Sequence, residues 1–224
     1  MKVVIFCGGK GSRLNKSLKK KILKPLVSIN KKPLLKYILE TYSKYKFNHF
    51  ILLGGYKIKE LIKFKNFYKN KFTIEVINTG LNTNTGGRLL KIKNLFKNEP
   101  FFLTYGDSLI NYNPKKAIRE WKTFKNLSIS SYAYNFPYGE LIVCKNGLLN
   151  NFNEKREILI NAGYYLLDKR IFKYINGDES FEKKTLPRIL KSKKIKFKIQ
   201  KTYEWYPVDN IDDKKKLKRK FNDK

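Results

Sequence analysis

An unbroken run of apolar strand-formers, Val3-Val4-Ile5-Phe6-Cys7, leads straight into Gly8-Gly9-Lys10-Gly11 and then Ser12-Arg13-Leu14. Such a run fits a buried strand. Glycines placed directly after it leave main-chain N–H groups bare enough to approach phosphate oxygens. Arg13 in the loop, and Lys24 further along in Lys24-Pro25, add fixed positive charge where a triphosphate would lie. The segment reads as the opening of a nucleotide-handling α/β fold.

Two better-known glycine loops do not match. A Walker loop ends in Gly-Lys-Ser/Thr after a four-residue spacer, a spacing found nowhere in this chain. The dinucleotide fingerprint needs a small residue where Leu14 stands. Without further motifs, Gly8-Gly9-Lys10-Gly11 is equally an ordinary tight turn.

The chain has 224 residues, 42% of them hydrophobic and 15% aromatic, enough for one large α/β core. No apolar run approaches the ~20 residues that span a bilayer, and no signal peptide is evident, so the cytoplasm is the expected location. The two cysteines, Cys7 and Cys144, read as inert core residues with no disulfide between them. A single histidine, His49, leaves no basis for a zinc site. Fifty basic residues against 18 acidic give a net charge of +32, which suggests nucleic acid. Only seven of the basic residues are arginine, and the lysines are spread along the chain with abundant Asn, Ile, Phe and Tyr. That pattern fits A/T-rich coding better than a nucleic-acid patch, and no nucleic-acid partner is expected.

Strand and helix patterns alternate through residue 125. Strands are expected at Lys2–Cys7, His49–Leu53, Thr73–Ile77 and Pro100–Tyr105; helices are expected at Pro33–Tyr45, Ile58–Tyr68, Gly87–Phe96 and Pro114–Phe124. This order argues for a parallel sheet covered on both faces. From Leu127 the pattern turns to strands at Ser128–Tyr134, Glu140–Cys144, Leu148–Asn153 and Ile158–Leu167. Helices at Lys169–Ile175 and Phe181–Ser192, a strand at Lys194–Lys201 and a terminal helix at Asp212–Phe221 complete it.

In open α/β sheets ligands bind beyond the carboxyl ends of strands. Three segments qualify: the Gly8–Arg13 loop, Gly54-Gly55-Tyr56-Lys57, and Thr104-Tyr105-Gly106-Asp107. An aspartate after a buried strand and a glycine suits Mg²⁺, which takes few carboxylates and completes its octahedron with phosphate oxygens and water. Asp209, after Trp205-Tyr206-Pro207-Val208, is the best candidate for a second carboxylate. Capping a turn is the alternative for Asp107.

Taken in order, these motifs resemble the sugar-1-phosphate nucleotidyltransferases over nearly the whole chain, and within them the glucose-1-phosphate cytidylyltransferases. The resemblance rests on Gly8–Leu14, Lys24-Pro25, Asn78-Thr79-Gly80, Thr85-Gly86-Gly87-Arg88-Leu89 and Thr104–Asp107. Tyr138-Gly139, Phe152-Asn153-Glu154-Lys155, Ile160-Asn161-Ala162-Gly163 and Trp205–Asp209 extend it. It implies a Rossmann-like α/β fold with a mixed, mostly parallel central sheet flanked by helices, and a smaller β-rich sugar-binding half. One domain over 1–224 is expected, with a nucleotide-binding half (1–125), a sugar-phosphate half (126–212) and a C-terminal helix and tail (213–224).

The resemblance also implies roles. Gly8, Gly9, Gly11, Ser12 and Arg13 would hold the nucleoside triphosphate, with Gly86 and Gly87 against its base. Lys24 would bridge the sugar phosphate and the α-phosphate, acting with Arg13 as the catalytic cations. Gly139, Glu154, Lys155 and Asn161 would meet the sugar phosphate; Asp107 and Asp209 would bind Mg²⁺. Read without the resemblance, Gly86-Gly87 is the start of a helix, Glu154-Lys155 an exposed charge pair, Asn161 a strand-end hydrogen bonder and Lys24 one more solvated lysine. The implied reaction transfers CMP from CTP to a sugar 1-phosphate, giving a nucleotide sugar for surface polysaccharide or lipopolysaccharide precursors, plus pyrophosphate. The chain departs from the cytidylyltransferase pattern at Arg156 after Glu154-Lys155 and at Ala162. Guanylyl, uridylyl or thymidylyl transfer to a heptose or other sugar 1-phosphate therefore stays open, as do homo-oligomerisation, a non-catalytic paralogue and a basic nucleic-acid binder.

Overall fold

A computed structural model describes residues 1–222. In chain order its elements are β1 (Lys2–Phe6), α1 (Ser12–Leu18), the short pair β2 (Ser28–Ile29) and β3 (Lys32–Pro33), α2 (Leu34–Ser43), β4 (His49–Gly54) and α3 (Ile58–Tyr68). Then come β5 (Thr73–Asn78), α4 (Thr85–Leu90), β6 (Phe101–Tyr105), β7 (Ser108–Ile110), α5 (Pro114–Phe124) and β8 (Leu127–Asn135). The remainder is β9 (Glu140–Val143), β10 (Leu149–Asn153), β11 (Glu157–Leu167), α6 (Leu186–Ser192), β12 (Phe197–Thr202), β13 (Trp205–Pro207) and α7 (Ile211–Asn222).

Seven strands form the central sheet in the order β12-β8-β11-β6-β1-β4-β5. β1 runs parallel to both β4 and β6, and β11 is antiparallel to both of its neighbours. The sheet is thus mixed and mostly parallel, as expected. Alternation along β1 explains the apolar run Val3–Phe6 that follows Lys2. Val3 and Ile5 enter one core with Phe50, Leu52 and Phe102; Val4 enters the other with Ile51 and Leu103. A strand covered on both faces has no position where a polar side chain would meet water. Each fully buried Leu, Ile or Val contributes about 1.5–3 kcal/mol.

The helical expectations shift at their ends. The Gly87–Phe96 helix is shorter and earlier, α4 followed by a 3₁₀ turn at Lys93–Leu95; Lys169–Tyr174 is 3₁₀. Phe181–Thr185 forms a π turn ahead of α6, where Pro187 cannot donate. Cys7 is buried, but Cys144 is not a core residue: it lies exposed at the β9–β10 turn. Among the described residues no helix is long and apolar enough to cross a membrane.

Candidate active site

The glycine loop turns at Gly11, whose φ of +60° is the left-handed conformation that disfavours side chains. Gly9 faces open space, whereas a Cβ at Gly8 would lie 2.2 Å from the Arg88 guanidinium. The two glycines therefore serve different ends: Gly9 leaves the main chain accessible, and Gly8 makes room for a buried arginine. Asn15 in α1 fastens the loop to the segment leading to Lys24. Its amide donates to the carbonyls of Lys10 (2.8 Å) and Ile22 (3.1 Å), and its oxygen accepts from the N–H of Ile22 (2.8 Å).

Pro25 then packs against Gly106, where a Cβ would come within 2.7 Å of the proline ring. This contact seats Lys24 beside Asp107. Asp209 reaches the same place from the other end of the chain. β13 pairs antiparallel with β7, and the N–H of Val208 donates to the carbonyl of Asp107 at 2.9 Å.

The result is a compact charge cluster. The Lys24 ammonium donates to Asp107 Oδ2 at 2.8 Å and to Asp209 Oδ1 at 2.6 Å, and Arg13 pairs with Asp209 Oδ2 at 2.9 Å. The Lys24 side chain is 11% exposed and that of Arg13 is 78% exposed. Two bare carboxylates a few ångströms apart would repel by about 4 kcal/mol at the effective dielectric of a protein surface. Lys24 is their internal counter-ion; Arg13, in water, is loosely held. Two aspartates converging on one cation beside a bare loop are a donor set that fits Mg²⁺ carrying phosphate oxygens.

These groups line one cleft of about 430 Å³ over the carboxyl ends of β1 and β6. Gly8, Gly9, Gly11, Ser12, Arg13, Lys24, Asp107 and Asp209 all lie in its wall, with Tyr105, Thr83–Thr85, Arg88, Ser180 and Glu182. Burial pushes the Cys7 thiol upward, so this residue stays a thiol and is no nucleophile.

Other expected residues lie elsewhere. Gly86 and Gly87 are not in the cleft wall. A Cβ at Gly86 would meet the Glu179 carbonyl at 2.7 Å, and one at Gly87 would meet Asp178 Oδ1 at 2.1 Å. Their missing side chains let α4 dock on the 178–179 loop, where the Gly86 N–H donates to the Glu179 carbonyl at 2.8 Å. Gly54-Gly55-Tyr56-Lys57 is also spent on structure: Gly55 packs on the Gly80 carbonyl, and Lys57 pairs with Glu60 at 2.7 Å.

Gly139, Glu154, Lys155 and Asn161 are outside the cleft wall too. Gly139 and Glu154 are neighbours, since a Cβ at Gly139 would sit 3.3 Å from Glu154 Oε2. Asn161 donates to the Tyr165 hydroxyl (2.6 Å) and accepts from the Gly163 N–H (2.9 Å), which fixes a bulge in β11. Gly163, with φ of +78°, packs on the Tyr105 ring, which does line the cleft. Through Gly163 the bulge places Asn161 next to the Tyr105 side of the cleft.

Arg88 is the positioning residue that sequence reasoning passed over. It is 5% exposed and donates to the carbonyl of Gly54 (2.9 Å), to Thr79 Oγ1 and to the carbonyl of Gly8 (3.3 Å). It ties together the ends of β1, β4 and β5. The signal was available: one of only seven arginines in a lysine-rich chain, standing directly after a glycine pair. Glu182, whose carboxyl is raised by burial, accepts from Thr85 and Ser180 and carried no comparable signal.

Comparison with known proteins agrees with this geometry. A family model described as Nucleotidyl transferase matches residues 2–223. The probable glucose-1-phosphate cytidylyltransferase of Bacillus subtilis (strain 168) is 33% identical over 217 residues, 85% of this chain and 85% of that protein. The D-glycero-alpha-D-manno-heptose 1-phosphate guanylyltransferase of Campylobacter jejuni (strain NCTC 11168) is 36% identical over 190 residues, 81% of this chain and 82% of that one. The crystal structure of HddC from Yersinia pseudotuberculosis complexed with GMP-PN superposes with a TM-score of 0.74 at 28% identity, covering 98% and 99% of the two chains. The bare loop, the paired aspartates and these matches together show that the chain belongs to the nucleotidyl transferase family, among the sugar-1-phosphate nucleotidyltransferases.

Proposed function

We propose that the chain transfers CMP from CTP to a sugar 1-phosphate, with Asp107 and Asp209 holding Mg²⁺. The observation that carries this reading is the meeting of Lys24, Arg13, Asp107 and Asp209 at the mouth of the Gly8–Ser12 loop. The Bacillus relative, named as a cytidylyltransferase, supports CTP.

The attacking oxygen belongs to a phosphate that is already an anion, so no strong general base is needed. The obstacle is repulsion between two polyanions, and catalysis is chiefly positioning and charge neutralisation. Bound Mg²⁺ would supply Lewis-acid neutralisation of phosphate oxygens. Loop amides around Gly9 and Ser12 face the polyphosphate. Arg13, exposed and loosely paired, is free to swing onto it. Lys24, relieved of a carboxylate, would place its ammonium on the incoming sugar phosphate. Gly139, Glu154, Lys155 and Asn161 would form the sugar side of the site, approached across the Tyr105 rim.

A second reading is guanylyl transfer to a heptose 1-phosphate. It is favoured by the Campylobacter relative and by the GMP-PN complex of the Yersinia protein. A pyrophosphate-release screen of four nucleoside triphosphates against glucose, heptose and other sugar 1-phosphates tests both. CTP with glucose 1-phosphate giving the highest kcat/KM supports the first; GTP with a heptose 1-phosphate supports the second. No release from any pair removes the transferase reading.

A further inference from the structure

Two strongly basic stretches from opposite ends of the chain lie side by side in the fold. Residues 10–24 hold seven Lys or Arg and no acid; residues 211–222 hold six Lys or Arg against two acids. The Ile211 N–H donates at 3.0 Å to Ser17 Oγ, 194 residues away, and so docks the start of α7 on α1. One turn apart on α7, Leu217 enters the core and Phe221 stacks on the Tyr37 ring at 4.4 Å. With its apolar side turned inward, α7 leaves Lys218 and Arg219 exposed. Burial, and then the Lys218 and Lys20 ammonium groups, hold the Lys214 ammonium below its ordinary value. Cations of the two stretches therefore crowd one another.

Little of this charge is neutralised from within. Arg13 and Lys24 are committed to Asp107 and Asp209, Lys215 meets Asp212 at 3.3 Å, and Lys220 meets Glu204 at 2.7 Å. Lys16, Lys19, Lys20, Lys21, Lys218 and Arg219 are exposed and meet no carboxylate among the described residues. Cations without internal counter-ions make a positive surface that an external polyanion would neutralise. The make-up of the face selects that polyanion. Five of these six are lysines, compact hydrated charges without the flat fork of arginine. The two stretches hold a single aromatic ring, Phe221, and it is already stacked on Tyr37. Nucleic acids are gripped by stacking bases on exposed rings and arginine planes, which this face lacks. Anionic lipid headgroups need only charge, and clusters of about four to eight Lys or Arg on an amphipathic helix suit them.

We propose that the outer face of α1, the 19–21 turn and α7 docks this chain on an anionic lipid surface, reversibly and through charge. The face adjoins Ser12 and Arg13 in the cleft wall, so the mouth of the cleft lies beside the contact.

Cosedimentation with phosphatidylglycerol or phosphatidylcholine vesicles, with hydrogen exchange on the bound samples, tests this. Wild type should bind phosphatidylglycerol alone, more weakly as salt rises, with amide protection at 10–24 and 211–222. The Lys16→Gln, Lys20→Gln, Lys218→Gln, Arg219→Gln variant should lose ~10²-fold in partition, the order expected for four surface cations. A matched variant, Lys183→Gln, Lys184→Gln, Lys191→Gln, Lys194→Gln, removes as much charge from another exposed, lysine-rich region and should bind like wild type. Equal losses in the two variants overturn the proposal, because net charge alone then explains binding. Absence of binding to phosphatidylglycerol, or equal binding to both lipids, also overturns it. Single-stranded RNA that displaces the vesicles at equal phosphate concentration overturns it too, and reassigns the face to nucleic acid. Should the first variant misfold by far-UV circular dichroism, wild-type exchange decides alone: vesicle protection that lies outside 10–24 and 211–222 counts against this face.

Discussion

Asp107 and Asp209 are bound by one nitrogen, the Lys24 ammonium, at 2.8 and 2.6 Å. Nothing local in sequence joins these aspartates. They meet because β13 runs antiparallel along β7 and brings Val208 into hydrogen bond with the Asp107 carbonyl. A cation of the chain thus neutralises both carboxylates at once, at the place where the proposed divalent ion would bind.

Replacing Lys24 by alanine should lower turnover by ~10²-fold or more, the range for losing a positioned charge-stabilising group. Far-UV circular dichroism should be unchanged, because the strand pairing that brings Asp107 and Asp209 together does not involve Lys24. Pyrophosphate release under saturating substrates reads the effect, and wild-type turnover would remove Lys24 from the mechanism.

Asp107→Asn and Asp209→Asn should each abolish most activity, and the double variant should be little worse than either single one. Groups that act as one unit lose their function together. Independent, multiplicative losses in the same assay would mean that the two aspartates serve separate ions or separate steps.

Arg88→Ala should destabilise the fold by about 3 kcal/mol, since it strips donors from buried acceptors on three strand ends. For a chain of this size that is a Tm fall of roughly 6–12 °C by calorimetry. Gly8→Ala should also lower Tm, through the 2.2 Å approach of its Cβ to the same guanidinium. A Gly8→Ala variant as stable as wild type would show that Arg88 is not confined there.

Glu179 supplies a pH test. A two-pronged hydrogen bond from Arg188, at 2.7 and 3.0 Å, holds its carboxyl down to about 2 against an ordinary value of 4.5. A carboxyl depressed in the folded state stabilises it above the unfolded value and loses that contribution as pH falls toward the folded one. The Tm gap between wild type and Glu179→Gln should therefore be full at pH 6 and narrow from pH 4.5 toward 2. A gap independent of pH in that window would contradict the pairing.

The sheet and the glycine-loop end of the candidate site were legible in the sequence because both are local. An apolar run ending in glycines encodes strand and loop together, and Asp107 follows its strand directly. Asp209 was readable only as a carboxylate after a strand-like segment; its convergence with Asp107 depends on a long-range pairing that local periodicity does not encode. Gly86 and Gly87 show the converse limit. A glycine marks a close approach but does not say to what, and here the neighbour is the 178–179 loop instead of the open cleft. The π turn before α6 escaped because a tertiary contact with Thr85 sets it, and the Asn161 bulge escaped because hydrogen bonds inside β11, with Gly163 and Tyr165, break the period-two pattern that marks a strand.

Anomalous-difference crystallography of the chain grown with Mn²⁺ and CTP tests the central claim most directly. One metal peak is expected within coordination distance of both Asp107 and Asp209, with the Lys24 ammonium moved off at least one carboxylate and onto phosphate oxygen. A nucleotide bound in the cleft with its metal away from either aspartate, or with Lys24 still bridging both, would contradict the account.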